Sequence, residues 1–266
     1  MTKPVAGKTV QRWRLAPGVS PGTWNYLRDR DIADKYDEYF QDHPLFAFDE
    51  SLLAEIFQQP GTVADLGCGT GRFAIAMAQR GHRALAIDLS AEMLRQVEQK
   101  SQAANVLVDL LQANLVELDA LADASVDYAA CLFSTFGMIQ GAENRQRALS
   151  HFARVLKPGG VLALHVHNRW RNLLIPDGRR WLLSNIWKSL RGKSEAGDKY
   201  YPYRGISNFY LHVFTRRELK RALRDAGLNI EQLITLDDKL GGRLRKPWLC
   251  PALRASGWIA LARKPK

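Results

Sequence analysis

Cysteine is scarce. The 266 residues hold three, Cys68, Cys131 and Cys250, odd in number, far apart and without metal-ligand spacing. A disulfide framework is excluded, and a reducing compartment is the expectation. No run approaches the roughly 20 apolar residues of a membrane-spanning helix; the longest near-continuous one, Tyr128 to Ile139, is interrupted by Ser134, Thr135 and Gly137. Behind Lys3 and Lys8 comes no apolar stretch of the kind a secretory signal needs, so a cytoplasmic location is expected. Internal repeats and low-complexity tracts are also missing. Hydrophobic residues at 46% and charged residues at 24% are ordinary for a globular protein and exclude wholesale disorder. The length suits one large or two small domains.

The net charge of +11 is unevenly spread. Between Arg169 and Lys266 there are 22 Lys and Arg against 8 Asp and Glu, whereas the rest of the chain has 16 against 19. The basic C-terminal third would attract an anion of some kind: nucleic acid, a phosphorylated metabolite or an acidic membrane surface.

Residues 1–30, rich in Pro, Gly, Arg and Trp, read as an irregular arm. A helical pattern then begins near Asp31, with Ile32, Tyr36, Tyr39 and Phe40 on one face, and a second helix covers Asp49 to Gln59. From there short apolar runs suited to buried strands (62–66, 84–88, 106–112, 126–132, 161–166) alternate with amphipathic stretches (71–80, 91–103, 143–156). This rhythm predicts right-handed crossovers and an α/β, doubly wound parallel sheet. Residues 167–214 break it, being rich in Trp, Tyr, Arg and Lys, and read as an insertion that covers a substrate site. Thr215 and Glu218 then form a capping box for a helix stopped by Gly227. Two last strands, 228–236 and 257–262, can pair antiparallel.

The first strand runs through Asp65 and Leu66 into Gly67, Cys68, Gly69, Thr70 and Gly71, and a helix follows at once. Glycines there permit positive φ and close approach of a ligand to the backbone, while the helix start offers N–H groups. The second strand ends in Asp88, where a carboxylate can accept hydrogen bonds from both hydroxyls of a ribose. Residue 72, where a dinucleotide fingerprint needs its last glycine, is Arg. The Lys followed by Ser or Thr of a nucleoside-triphosphate loop is missing too.

Asp65 to Gly71, followed by Asp88, Leu89, Ser90, Met93 and Leu94, resembles the cofactor signature of class I S-adenosylmethionine-dependent methyltransferases. Asp127 with Tyr128, and Leu156 to Gly160, match that family's later motifs, and the resemblance extends from about Ile32 to Ala262. It implies a Rossmann-like, seven-stranded sheet with a final antiparallel strand, a methyltransferase domain over 31–266, and S-adenosyl-L-methionine across the carboxyl edge. Asp65 with Gly67, Cys68, Gly69 and Gly71 would hold the methionine end, and Asp88 the ribose. Asn114 would contact the adenine amine where the family often has Asp. Leu89 and Leu115 would sandwich the adenine, Cys131 would approach the sulfonium by its backbone, and Tyr36 would cover the cofactor.

A sulfonium methyl is already activated, so the resemblance calls for a nucleophile held in line rather than a metal. His167, at the exposed end of the fifth strand, is the preferred base or substrate-orienting residue; Ser134, His165, Asn168 and His212 are further candidates. The chain after the fourth strand reads Leu132, Phe133, Ser134, Thr135 and lacks the Asn-Pro-Pro-aromatic signature of adenine or glutamine amide methylation. No second cysteine stands ready for attack on a pyrimidine. The expected acceptor is a small molecule enclosed under 167–214. The alternatives are tRNA or other RNA on the basic surface, contact with a membrane surface, and a cofactor-binding regulatory partner without catalysis.

Overall fold

The computed structural model describes residues 15–237, 239 and 241–266. Four helices precede the sheet: α1 (Pro21–Leu27), α2 (Arg30–Asp34), α3 (Tyr36–Phe40) and α4 (Leu45–Ile56). Then β1 (Thr62–Leu66), α5 (Arg72–Gln79), β2 (Arg83–Asp88), α6 (Ala91–Ala103), β3 (Val108–Gln112), β4 (Val126–Cys131), α7 (Ala142–Val155) and β5 (Leu156–His167) follow in turn. A 3-10 turn (Arg169–Leu174), α8 (Pro176–Leu190) and a separate hairpin of β6 (Asp198–Tyr203) with β7 (Ile206–His212) make up the insertion. The chain closes with α9 (Arg216–Asp225), β8 (Asn229–Asp237), β9 (Gly242–Arg243), α10 (Pro251–Arg254) and β10 (Gly257–Arg263).

The main sheet has the order β3-β2-β1-β4-β5-β10-β8-β9. Pairings among β1 to β5 are parallel, and β10 slots antiparallel between β5 and β8. Eight strands stand where seven were expected, because the two-residue β9 adds to the edge. Side-chain alternation explains why the central strands are apolar throughout. Leu162, Leu164, Trp258 and Ala260 join the core on one face, and Val161, Ala163, Ile259 and Leu261 that on the other. A strand covered by helices on both sides has no face to leave polar. The strand order reverses between β1 and β4, which opens a crevice at their carboxyl ends.

Two departures from the sequence reading bear on that crevice. Within the expected irregular arm, residues 1–14 lie outside the described residues, while Pro21–Leu27 are helical. Ser20 caps this helix by accepting the Thr23 N–H at 3.1 Å, and Pro21 fills its first turn, a helix start in residues that also spell a turn. A Cβ at Gly22 would stand 1.8 Å from the Asn208 carbonyl oxygen, so α1 lies directly on β7. The helix expected from Asp31 onward is broken at Lys35 into α2 and α3. The break sends Ile32 into a cluster with Tyr26, Met93 and Phe209 and leaves Tyr36 and Phe40 on the crevice.

Candidate functional site

The glycine loop and two carboxylates form the floor of the crevice. Gly67, Gly69 and Gly71 all have positive φ, at 77°, 54° and 79°. Their reasons differ. A Cβ at Gly67 would lie 2.3 Å from Thr135 Cγ2 and one at Gly71 2.7 Å from Val97 Cγ1, whereas at Gly69 it would meet only the Tyr36 ring, at 3.9 Å. Gly67 and Gly71 are thus demanded by packing, and Gly69 keeps an open space clear. The Gly67 and Cys68 N–H groups donate to the Ile87 carbonyl at 2.7 and 3.0 Å and pin the loop to β2.

Asp88 accepts the Gly69 N–H at 2.9 Å and the Ser90 N–H at 2.8 Å. Asp65 accepts the Ala74 N–H at 3.2 Å. Both are nearly inaccessible to solvent, at 8% and 3%. Burial pushes the Asp88 carboxyl up to about 6 and that of Asp65 to about 7, the nearby Arg72 guanidinium opposing the latter shift. Two buried acids with acceptor capacity left over suit cationic and hydroxyl-bearing ligands.

Above this floor is a cavity of about 330 Å³. Of the residues expected at the site, Tyr36, Asp65, Gly67, Cys68, Gly69, Asp88, Leu89, Asn114, Leu115 and His167 line it. Gly71 and Cys131 do not: Gly71 caps α5, and the Cys131 side chain is wholly buried in the core. Asn114 is engaged already. Its Oδ1 accepts the Val116 N–H at 3.1 Å, and its amide donates to the Pro17 carbonyl at 2.9 Å, which holds Gly18 and Val19 over that end of the cavity. Burial keeps the Cys68 thiol protonated by raising its pKa well above the ordinary value.

After β4 the backbone is strained: Phe133 and Ser134 have φ of 51° and 63°. The turn sets Phe133 into the crevice and aims the Ser134 hydroxyl at the His167 backbone N–H, which it accepts at 3.2 Å. Ser134, a sequence candidate for chemistry, therefore holds the end of β5 in place. His167 lines this cavity and a second one of about 300 Å³ beyond Phe133. His165 lines only the second; burial drives its pKa down to about 3, so its ring is neutral.

His212 lies elsewhere, wholly buried between Asp198 Oδ1 at 2.9 Å and Glu218 Oε1 at 2.7 Å. Tyr210 donates to Asp198 at 2.7 Å, Arg169 pairs with Glu218 at 2.7 Å, and Arg145 pairs with Glu195. This network ties the insertion to α7 and α9. Glu195, Asp198 and His212 could converge on an ion, but each is already matched by protein partners. Sequence reasoning missed Tyr26 and Phe46 of the crevice's aromatic belt, whereas Tyr201 and Tyr203 belong to the aromatic 167–214 segment expected over the site. The Ser20-Pro21 helix start was the legible signal for the first.

A family profile described as "Methyltransferase domain" matches residues 63–160, which span the glycine loop, Asp88 and Asn114. Over these residues the chain is similar to the class I S-adenosylmethionine-dependent methyltransferase superfamily. Among its relatives, the chain is 32% identical over 175 residues to a malonyl-[acyl-carrier protein] O-methyltransferase of Pectobacterium atrosepticum, covering 64% of this chain and 62% of the relative. It is 31% identical over 119 residues to the tRNA 5-carboxymethoxyuridine methyltransferase of Escherichia coli K12, covering 45% of each. Both matches thus stop short of two thirds of the relative's length. In fold it is similar to the 1,6-didemethyltoxoflavin-N1-methyltransferase of Burkholderia thailandensis, solved with S-adenosylhomocysteine (TM-score 0.61, 18% identity, 94% of this chain and 93% of that one). The superfamily's cofactor fits the crevice on local grounds: Gly69 leaves open the space a side chain would fill, and Asp88 has only backbone partners.

Proposed function

We propose that this chain transfers a methyl group from S-adenosylmethionine to a small-molecule acceptor by in-line displacement. The reading is carried by one cavity that sets two buried carboxylates among aromatic walls and adjoins a second cavity, with which it shares Phe133, His167 and Tyr201 as lining. Asp65 and the Gly67–Gly69 turn would hold the amino-acid end of the cofactor, Asp88 the ribose hydroxyls, and Leu89 and Leu115 the adenine faces. Asn114 acts there by fixing the Pro17–Val19 segment over the adenine end, since its own amide is taken. When bound, the cofactor supplies a methyl group activated by a sulfonium centre.

The rest is positioning, exclusion of water and movement of one proton. Phe40, Phe46 and Phe133 pack edge-to-face or tilted, at ring separations of 4.5 to 5.7 Å, where the two cavities meet. With Tyr201 and Tyr203 from the hairpin they make an apolar wall, against which an acceptor is held dry and oriented. His167 is the group at the junction able to take the acceptor's proton or orient it, and Ser134 keeps its backbone in place. Isothermal titration with S-adenosylhomocysteine tests the reading: saturable one-to-one binding is expected, and no binding removes it.

A second acceptor class is favoured by the outer face of α8. There Arg179, Arg180, Lys188 and Arg191 surround exposed Leu183 and Trp187, with the Arg191 guanidinium 3.3 Å from the Trp187 ring centre. Interspersed cations and aromatics suit RNA, and one relative is a tRNA methyltransferase. Retention of tRNA that falls steeply between about 50 and 200 mM salt would support this reading, and no retention at low salt discards it.

A further inference from the structure

The second cavity differs in charge from the first. It is lined by Lys199, Arg171 and three histidines, His43, His165 and His167, and no Asp or Glu is among its described lining residues. Strand alternation produces this segregation. On β6, Asp198 pairs in register with His212 and turns its carboxylate into the buried network, whereas Lys199 pairs with Leu211 and both line the cavity. The strand thus sorts its acid to one side and its base to the other.

Lys199 is half-buried. Its ammonium donates to Asn172 Oδ1 at 3.0 Å and lies 5.4 and 5.6 Å from the Trp181 and Tyr201 ring centres. Among the described residues no carboxylate faces it, and an ammonium has three N–H donors. A desolvated cation with spare donors in a concave site is costly until an anion meets it. The remaining walls set Leu45, Phe133, Tyr201, Leu211 and Val213 beside Asn168, Asn172 and Ser256, so the occupant joins an oxyanion to a largely hydrophobic body.

Resting on the methyltransferase reading above, we propose that the second cavity is the acceptor's anion subsite. An acceptor would seat a carboxylate or phosphate group against Lys199 and Arg171, with its body across Phe133 and Tyr201 and its nucleophile at His167, facing the cofactor cavity. The acceptors are then organic acids or phosphate esters. Neutral analogues of the same shape bind poorly because they leave the ammonium unpaired. The anion is an anchor rather than the methylated group, since two cations holding it lower its nucleophilicity.

The test is calorimetry on the full chain, with and without saturating S-adenosylhomocysteine, using benzoate, phenyl phosphate and neutral benzamide as probes. Benzoate or phenyl phosphate should bind at least tenfold more tightly than benzamide, and the stronger of the two identifies the anion. Lys199→Met should lower acid affinity at least tenfold and Lys199→Arg should largely restore it, while S-adenosylhomocysteine affinity stays within about twofold and reports that the variants are folded. Equal affinity for benzamide and benzoate, or acid binding indifferent to Lys199→Met, overturns the proposal. Loss of S-adenosylhomocysteine binding in the parent chain instead defeats the cofactor reading. The acid titrations without that ligand judge the anion subsite in either case.

Discussion

The two cavities that meet at His167 carry opposite electrostatics. The first buries Asp65 and Asp88; the second is lined by Lys199 and Arg171, with no carboxylate among its described lining residues. They also come from different parts of the architecture. The acidic floor is made by the ends of β1 and β2, which the sheet fixes from below, and the basic cavity by an inserted 3-10 turn and hairpin tied down through a polar network. Under the proposed function the difference teaches a division of labour: the sheet meets a cationic donor with a ribose, and the insertion meets the acceptor.

The largest effect is expected on the acidic side. In the proposed pose Asp88→Ala removes the acceptor for two ribose hydroxyls, each hydrogen bond to a charged group being worth about 1.5–3 kcal/mol. S-Adenosylhomocysteine affinity should fall at least about a hundredfold by calorimetry, with binding of acids in the second cavity unchanged. If the two affinities fall together, the cavities are one site and the comparison is broken.

The next effect belongs to the insertion. His212→Ala leaves Asp198 and Glu218 without the ring that bridges them, a loss of roughly 2 kcal/mol from a buried network of charged hydrogen bonds. Thermal unfolding should move down by several degrees, and limited proteolysis should cut within residues 190–205 before it reaches the sheet. An unchanged melting temperature together with protected insertion bonds would show that the network does not hold the hairpin.

The same division decides what could be read from residue order alone. The bounds of β1 and α6, the Thr215 capping box and the antiparallel β8 and β10 pairing were all legible, because a two-sided sheet imposes period two and its crossover helices impose 3.6. Asp88 was legible for the same reason, standing where a strand must end. The hairpin was not. Asp198 and His212 meet directly across the hairpin, but with Glu195 they are anchored to the body of the protein only through contacts such as Arg145 on α7 and Glu218 on α9, and no local pattern encodes a contact across such distances. Nor could Asn114 be seen to hold Pro17, a partner 97 positions away. Local rules recover elements; they miss what long-range polar contacts assemble from them.

Asp65 gives the smallest effect and the sharpest sign. Its folded-state pKa, about 7, lies above the ordinary aspartate value because burial penalises the charge. Over the interval between those values the folded state binds the proton and the unfolded chain does not, so stability is fully present below about pH 4 and declines as pH rises through 7. Asp65→Asn keeps an acceptor for the Ala74 N–H and abolishes the charge. It should therefore be more stable than the parent by about 1–2 kcal/mol at pH 8, with the gap closing toward pH 4 in urea titrations. Ligand affinity should move the other way. In the proposed pose the parent must ionise Asp65 to meet an ammonium group, so S-adenosylhomocysteine should bind more tightly as pH rises from 5 to about 7.5, while the variant keeps only the shallower slope that Asp88 contributes near pH 6. A variant less stable than the parent at pH 8, or one with the parent's full pH slope, would place the carboxylate's charge outside the cofactor's reach. The gain in stability and the loss in binding come from one source, a charge held ready in a place that penalises it until the cation arrives.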